Sequence, residues 1–436
     1  MYTLSIYTQW FRHNEEWYLY NAQSNFFSKV AENLINLLRD REWDAFDNDT
    51  IRFLLERHII EHSGNEYDYF MGQMMMFNAR NYDPTHLNLV IAPTTACNFN
   101  CPYCFEPKLK PHTMSDDTIS ALFDFVRMHD KAQDISLTWY GGEPLLAFSQ
   151  IKKIMDGLTA EGMPKIKHMS LVTNASLLSE DVCRYFSDHK LNHMQVTFDG
   201  IREHHDSTRC FKANGAPSFG LIYDNLKKAQ KILADCNISL RINVNKTNLD
   251  DFVDMYRLVK TDFKDNPNVS IYPGLIREDT PDGKSLRSGC IQSEDMMSTY
   301  SYLKSRGIDC HLFPSLQRRG CMLHCRNAYI IGPEGEIYKC WNDVSSPDKV
   351  VGHISAQRLD NPSLLVKYMV GSTPFTDECR RCSVFPICDG NCGYYQYRNR
   401  FEGASYRMCS SLRNPENLKQ ALLEKCLTRI VGIKED

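Results

Sequence analysis

Cysteine is the residue type most able to do chemistry in this chain, with 17 in 436 residues, and its spacing is uneven. Three lie in one short stretch, Cys97-Asn-Phe-Asn-Cys101-Pro-Tyr-Cys104, separated by three and then two residues. A loop this short keeps the three thiols near one point, and thiolates gathered at one point bind metal. A tetrahedral zinc ion or a cubane iron–sulfur cluster wants four ligands, so the fourth place is filled from elsewhere or left open. An open coordination position is where chemistry happens. Cys183, Cys210, Cys236 and Cys426 stand alone and read as small buried hydrophobes. The others crowd between 290 and 409. The N-terminus, Met1-Tyr-Thr-Leu-Ser-Ile, lacks the basic head and apolar run of a signal peptide, and no apolar run has the length of a bilayer span. A cytoplasmic location is expected, where disulfides rarely persist and clustered cysteines read as metal ligands. A net charge of −4 and a pI near 6.4 give no bulk attraction to nucleic acid or an anionic membrane.

The cysteine loop follows a short apolar strand, Leu87–Ala92, the first of several strand signals. Others are Ile135–Tyr140, His168–Thr173, His193–Phe198, Ile238–Val244 and Val269–Pro273. Helical stripes lie between them. One starts at a Ser115 cap and continues through Ile119, Leu122, Phe123 and Val126. Others run through Ile151, Ile154 and Met155, and through Phe252, Tyr256 and Val259. Six alternating β/α units predict a parallel sheet with helices outside, and ligand sites of such folds lie at the strand C-terminal ends. Motifs fall at four of those ends. After the cysteine loop come Gly141-Gly142-Glu143-Pro144, then Thr173-Asn174-Ala175-Ser176-Leu177-Leu178, then Gln195-Val-Thr197-Phe-Asp199-Gly200 continuing to His205-Asp206 and Arg209. Paired glycines let backbone approach a ligand, and a neighbouring carboxylate can accept from an ammonium group.

The Cys-x3-Cys-x2-Cys pattern, with aromatic Tyr103 before the last cysteine, resembles the radical S-adenosylmethionine (SAM) enzymes. The resemblance implies that Cys97, Cys101 and Cys104 hold a [4Fe–4S] cluster whose fourth iron is chelated by SAM. An electron from that cluster then cleaves SAM to a 5′-deoxyadenosyl radical that abstracts a hydrogen atom. Gly141, Gly142 and Glu143 match the family's GGEP motif at the methionine amino group. Thr173–Leu178 resembles a Thr-Asn-Gly-Thr-Leu-Leu stretch of the subfamily. The segment from Thr197 to Arg209 resembles one in which a hydroxyl and an arginine contact SAM, so Thr197 and Arg209 join Tyr103 of the cysteine motif in the expected cofactor-binding set. Asp199 and Asn243 are either structural or lining the substrate cavity. For the motif alone, the competing reading is a structural zinc knuckle.

Towards the C-terminus, Ser293 starts a predicted helix ending at Gly307. Cys325-x9-Gly335-x4-Cys340 then precedes Cys379-x2-Cys382-x5-Cys388-x3-Cys392 and Cys409. Gly335 sits in a predicted hairpin turn between Tyr329-Ile-Ile and Ile337-Tyr338, and Leu418–Ile430 reads as a closing helix. This spacing resembles the SPASM domain, which implies two auxiliary [4Fe–4S] clusters. One would use Cys321, Cys325, Cys340 and Cys392, the other Cys379, Cys382, Cys388 and Cys409. Cys310 or Cys290 are alternatives to Cys321, and zinc is the alternative metal. The closed clusters suit electron transfer.

At the N-terminus, Thr3–Arg12 and Glu15–Gln23 read as strands joined at His13-Asn14. A helix through Phe27, Val30, Leu34 and Leu37/Leu38 follows, then a second capped by Asp49, then a strand at His58–His62. Met71–Phe77 reads as a core-facing connecting helix. The layout resembles the winged-helix recognition element of enzymes that modify ribosomally made peptides, where a leader peptide pairs with a strand edge. The fold class expected is α/β: a partial (β/α)6 TIM-type barrel (86–290), a winged-helix-like module (1–85) and a cysteine-rich SPASM domain (291–436). The function implied is a peptide maturase that forms a thioether or carbon–carbon crosslink. Its expected partners are a precursor peptide and an electron donor such as flavodoxin or ferredoxin. An anaerobic sulfatase maturase and a non-catalytic iron–sulfur or zinc scaffold are the alternatives. Some sulfatase maturases carry an aspartate directly after the cysteine equivalent to Cys340; here Trp341 takes that place, and Asp343 lies two residues on.

Overall fold

The computed structural model describes residues 1–104, 111–275, 296–308, 313–317, 320–356, 360–388, 390, 392–406 and 409–431. They form two compact units, neither continuous in sequence. One comprises 1–81, 292–321 and 371–436, the other 82–291 and 322–370.

The first unit begins with five short strands: β1 (Tyr2–Leu4), β2 (Thr8–His13), β3 (Glu16–Asn21), β4 (Phe26–Val30) and β5 (Ile60–His62). Strands β2, β3 and β4 form an antiparallel sheet, and β1 pairs antiparallel with β5. Asn14 and Glu15, both at positive φ, make the two-residue turn between β2 and β3. The segment read as one strand to Arg12 is therefore two. Phe27 and Val30 belong to a strand rather than a helix: Phe27 stacks on Phe11 and Tyr18 across the sheet. The helix starts only at Glu32, and Ile35 and Leu38 enter a core with Leu19, Leu54, Ile59 and Ile60. The second helix, Asn48–Glu56, is capped by Asp47, whose carboxylate accepts from the Thr50 amide, and not by Asp49. In helix Asp68–Asn81 the buried side is Phe70 and Phe77, while Met71, Met75 and Met76 are exposed, the reverse of the expected orientation.

A second core cluster joins Tyr7, Tyr20, Ala22 and Phe70 to Val384, Phe385, Ile387, Leu418 and Leu422. The N-terminal strands thus pack on the far end of the chain, and large aromatic side chains supply most of the buried area there. Helix Met296–Ser305 adds Met297 against Ala421 of helix Pro415–Val431. The expected helix start at Ser293 lies outside the described residues.

The second unit is built on a nine-stranded sheet. Its strands are β6 (His86–Ile91), β7 (Asp134–Trp139), β8 (Lys165–Thr173), β9 (His193–Phe198), β10 (Asn237–Val244), β11 (Val269–Leu275), β12 (Ala328–Ile331), β13 (Glu336–Tyr338) and β14 (Gly352–His353). Strands β6 to β11 are parallel and neighbour one another in chain order, each pair joined through helix. This is the expected α/β arrangement, and right-handed crossovers in sequential order keep the helices on one face. On that face alternate residues are apolar and sealed: Leu87, Leu89, Ile135, Leu137, Leu171, Val196, Phe198, Leu240 and Ile242. The other face carries Ser136, Thr138, Gln195, Thr197, Ser239 and Arg241, all half-buried. The sheet has an addition that the pattern along the chain did not announce. Strand β12 pairs parallel with β6, and the hairpin β12–β13, turning at Gly335, extends the sheet beyond the barrel strands. Among the described residues no helix is long and apolar enough to cross a membrane.

Candidate active site

The C-terminal ends of β6 to β10 converge on the cysteine loop. Thr94 closes the end of β6, its hydroxyl bonding to the His112 carbonyl and Thr113 hydroxyl while accepting from the Ala96 amide. The turn after β7 lies directly on this loop: the Gly142 and Glu143 amides donate to the Thr94 and Ala96 carbonyls at 3.1 and 2.8 Å. Here the two glycines are required. Gly141 has φ +119°, and a Cβ on Gly141 or Gly142 would stand 2.3 Å from the carbonyl oxygen of Thr94 or Ala96. The glycines therefore let two loops touch, a role beyond the ligand approach expected of them.

Glu143 is fully buried. Its carboxylate accepts from the Thr173 hydroxyl (2.7 Å), the Asn174 amide (2.7 Å) and the Leu145 amide (3.1 Å). Burial raises its pKa, and these donors oppose the rise. The side chain thus ties the end of β7 to the end of β8. From β8, Asn174 Nδ2 donates to Asn98 Oδ1, whose Nδ2 donates to Ser176. On the other flank Phe99 bridges Phe211, and the Asn100 amide donates to the Cys210 carbonyl. The loop bearing Cys97, Cys101 and Cys104 is held from both sides.

All three thiols are half-buried. Burial pushes the Cys97 thiol up to about 12, with Glu143, Cys101 and Cys104 adding to the rise. Cys101 is also raised by burial, and the Arg209 charge opposes this. Among the described residues no three His, Cys, Asp or Glu side chains are close enough to hold a single metal ion.

Beside the loop lies a polar network. The Tyr103 hydroxyl donates to Asp199, with its two carboxylate oxygens at 2.6 and 2.7 Å, and accepts from Arg209 Nη1 at 2.7 Å. Asn243 Nδ2 reaches both Tyr103 and Asp199, and the Thr208 hydroxyl donates to Asp199. Asp199 and Asn243, undecided from sequence, are the members that hold Tyr103 and Arg209 in place. Arg209 is 8% exposed, and its Nε is buried with no partner among the described residues. A buried donor left open in this way fits a ligand's anionic oxygen. Thr197 lies on the same face two residues before Asp199, in register with Arg241, and is not part of the network. Asn98 and Thr208 escaped sequence reading, because a single polar residue in a loop has no period.

The other cysteines divide between the units. Cys325 and Cys340 belong to the second, and Cys340 is buried at the start of the short turn Trp341–Asp343. The buried ammonium of Lys339 donates to the carbonyls of Cys325 and Ala328, both at 2.6 Å. Cys321, Cys379, Cys382, Cys388, Cys392 and Cys409 belong to the first. Cys379 sits in helix Asp377–Arg380, capped by Thr376, and with Cys382 packs against the Tyr7–Phe385 cluster. Burial raises the Cys382 thiol; Arg413 opposes this, and Cys379 and Cys409 add to it. Cys290 and Cys310 lie outside the described residues.

Residues 91–259 match the radical SAM superfamily. This stretch is a radical SAM domain. Over longer spans the chain is 23% identical to the serine-type anaerobic sulfatase-maturating enzyme of Bacteroides thetaiotaomicron, covering 78% of this chain and 96% of that one. Its identity to the enzyme of the same name from Klebsiella aerogenes is 24%, covering 79% and 89%. The radical SAM cyclopropyl synthase TigE of Paramaledivibacter caminithermalis is 26% identical over a shorter stretch, 40% of this chain and 38% of that one. The fold is shared with native anSMEcpe with bound AdoMet at a TM-score of 0.58 and 18% identity, covering 80% of this chain and 98% of that one. The radical SAM domain contains the whole cysteine loop, the Gly141–Gly142 turn and the Tyr103–Asp199–Arg209 network.

Proposed function

We propose that this chain is a radical SAM peptide maturase that forms a thioether or carbon–carbon crosslink in a ribosomally made precursor peptide. The observation that carries the cofactor part is the open Nε of Arg209 beside the pinned cysteine loop. In this reading Cys97, Cys101 and Cys104 ligate one [4Fe–4S] cluster and leave one iron for SAM. The backbone of Gly141 and Gly142 faces the SAM amino group, since the Glu143 carboxylate already has three protein donors. Arg209 takes the SAM carboxylate, Tyr103 borders the cofactor, and Thr197 offers a hydroxyl from the open face of the sheet. Bound together, cluster and SAM supply a 5′-deoxyadenosyl radical that removes hydrogen from a carbon of the peptide. The protein's share is placement, because such a radical discriminates little among C–H bonds.

Three features support a peptide substrate. The relatives named sulfatase-maturating enzymes extend over most of this chain. The strand–helix–helix–strand order of 1–81 suits a leader-binding module. That module shares its core with 371–436, where Cys379, Cys382, Cys388 and Cys409 are proposed to hold one auxiliary cluster. Closing a crosslink leaves one electron over, and such a cluster could pass it to a flavodoxin or ferredoxin. Sulfatase maturation is the second reading, favoured by 96% coverage of the Bacteroides relative. Against it, Asp343 is buried and accepts from the Tyr368 hydroxyl at 2.6 Å, so it is not an open base.

The test is anaerobic incubation of reconstituted protein with SAM, dithionite and either a candidate precursor peptide or a sulfatase-motif peptide. A crosslink removes a pair of hydrogens and creates no carbonyl; formylglycine reacts with a hydrazide. Hydrazide-reactive sulfatase peptide with unmodified precursor would replace this reading with the second.

A further inference from the structure

Among the cysteines of 371–436, one sulfur has a charged partner that the proposed electron path does not use. Arg413 Nη1 lies 3.0 Å from Cys409 Sγ, and the same nitrogen pairs with Glu378, the residue before Cys379. The guanidinium thus stands between the two backbone segments that carry Cys379 and Cys409. Both segments are set for it. Thr376 caps helix Asp377–Arg380, and the Ser410 hydroxyl caps the turn Ser411–Arg413 by accepting from the Leu412 amide. The Arg413 and Glu378 side chains are 46% and 66% exposed. An ion pair this open to water contributes little to stability, so holding the fold together is a poor explanation for it. A contact with sulfur has another consequence. Donors and positive charge at a ligand sulfur favour the reduced, more negative cluster, and a guanidinium keeps its charge at every working pH.

We propose that Arg413 is a positioning residue that sets the reduction potential of an iron–sulfur cluster held by Cys379, Cys382, Cys388 and Cys409, with Glu378 as the opposing charge. This rests on the proposed auxiliary cluster. Arg413 donates to the Cys409 sulfur and raises the potential; Glu378 shares the same nitrogen and restrains the rise. The site then accepts electrons more readily than its cysteines alone would allow.

The test is a redox titration of the anaerobically reconstituted full chain, followed by electron paramagnetic resonance, with iron and sulfide measured alongside. The signal of this site is assigned by its loss in Cys409→Ala. Arg413→Gln is expected to move that midpoint to lower potential and Glu378→Gln to higher potential, with iron unchanged in both. Shifts of the same sign, or no shift with iron retained, overturn the role of Arg413. Should Arg413→Gln lose iron, Glu378→Gln alone decides: a higher midpoint supports the role and an unmoved one overturns it. If Cys409→Ala removes neither iron nor signal, the cluster itself is wrongly assigned, an outcome distinct from a failure of the role of Arg413.

Discussion

The loop of Cys97, Cys101 and Cys104 and the segment of Cys379, Cys382 and Cys409 hold thiols in opposite ways. The first is surrounded by fixed polar groups: Glu143, Asn98, Asn174, Tyr103, Asp199, Asn243 and Arg209 are bonded to one another or to the loop. The second leans on hydrocarbon, with Cys379 and Cys382 against Phe385 and its neighbours, and carries the exposed ion pairs Arg413–Glu378 and Arg380–Asp377. A site that must admit and release a charged cofactor needs dipoles already oriented towards it, and a preorganised polar wall supplies them. The second segment is dry on one side only, for Cys409 and the Arg413–Glu378 pair beside it are open to water.

The comparison can be broken by experiment. Cys101→Ala should drop 5′-deoxyadenosine formation on the order of a thousandfold or more, to the no-enzyme background, and remove about four irons per chain. Phe385→Ala empties a position 2% exposed that touches Tyr69, Phe70 and Phe375. It should cost about 3–5 kcal/mol in urea unfolding and lower iron content while sparing SAM cleavage. Equal loss of SAM cleavage in both variants would mean that the two sites are not separately supported. Tyr103→Phe deletes a hydroxyl that serves Asp199, Arg209 and Asn243, and should cost about 1–3 kcal/mol, read as a lowered urea midpoint. A variant as stable as the parent would show that the network is not preorganised.

A further effect concerns pH. His205, behind Asp199, is buried and bonded to Ser218, and its imidazole falls to about 3 because burial disfavours the cation, with Arg209 and His204 adding to this. The unfolded chain takes up that proton near pH 6.5, so stability should decline as pH falls below it, by at most about 1.4 kcal/mol per unit. Above pH 6.5 this histidine contributes no slope. His205→Gln should flatten the acid-side dependence of the urea midpoint by one proton; an unchanged slope would place the protonation elsewhere.

The barrel strands were legible to within a few residues because alternation, apolar content and the following turn all agree there, as at His193–Phe198 before Asp199-Gly200. The cysteine loop and the Gly141–Gly142 turn were legible because their chemistry is local. Phe26–Val30 misled: Phe27, Val30 and Leu34 also fit a helical stripe, and what makes the segment a strand is pairing with Trp17–Asn21. The pairing of β12 with β6 left no mark, since each strand is apolar in its own right. Glu143 was found for its type, but its partners Thr173 and Asn174 appear only once the strand ends meet.

The discontinuity of both units has a consequence for synthesis. While Ala328–Ile331 is still inside the ribosome, one edge of β6 has no partner, and the face of Tyr7, Tyr20 and Phe70 stays bare until Leu422 has emerged. A prematurely terminated nascent chain therefore carries an unpaired strand and an uncovered aromatic surface, the features by which unfinished proteins aggregate or are caught by chaperones.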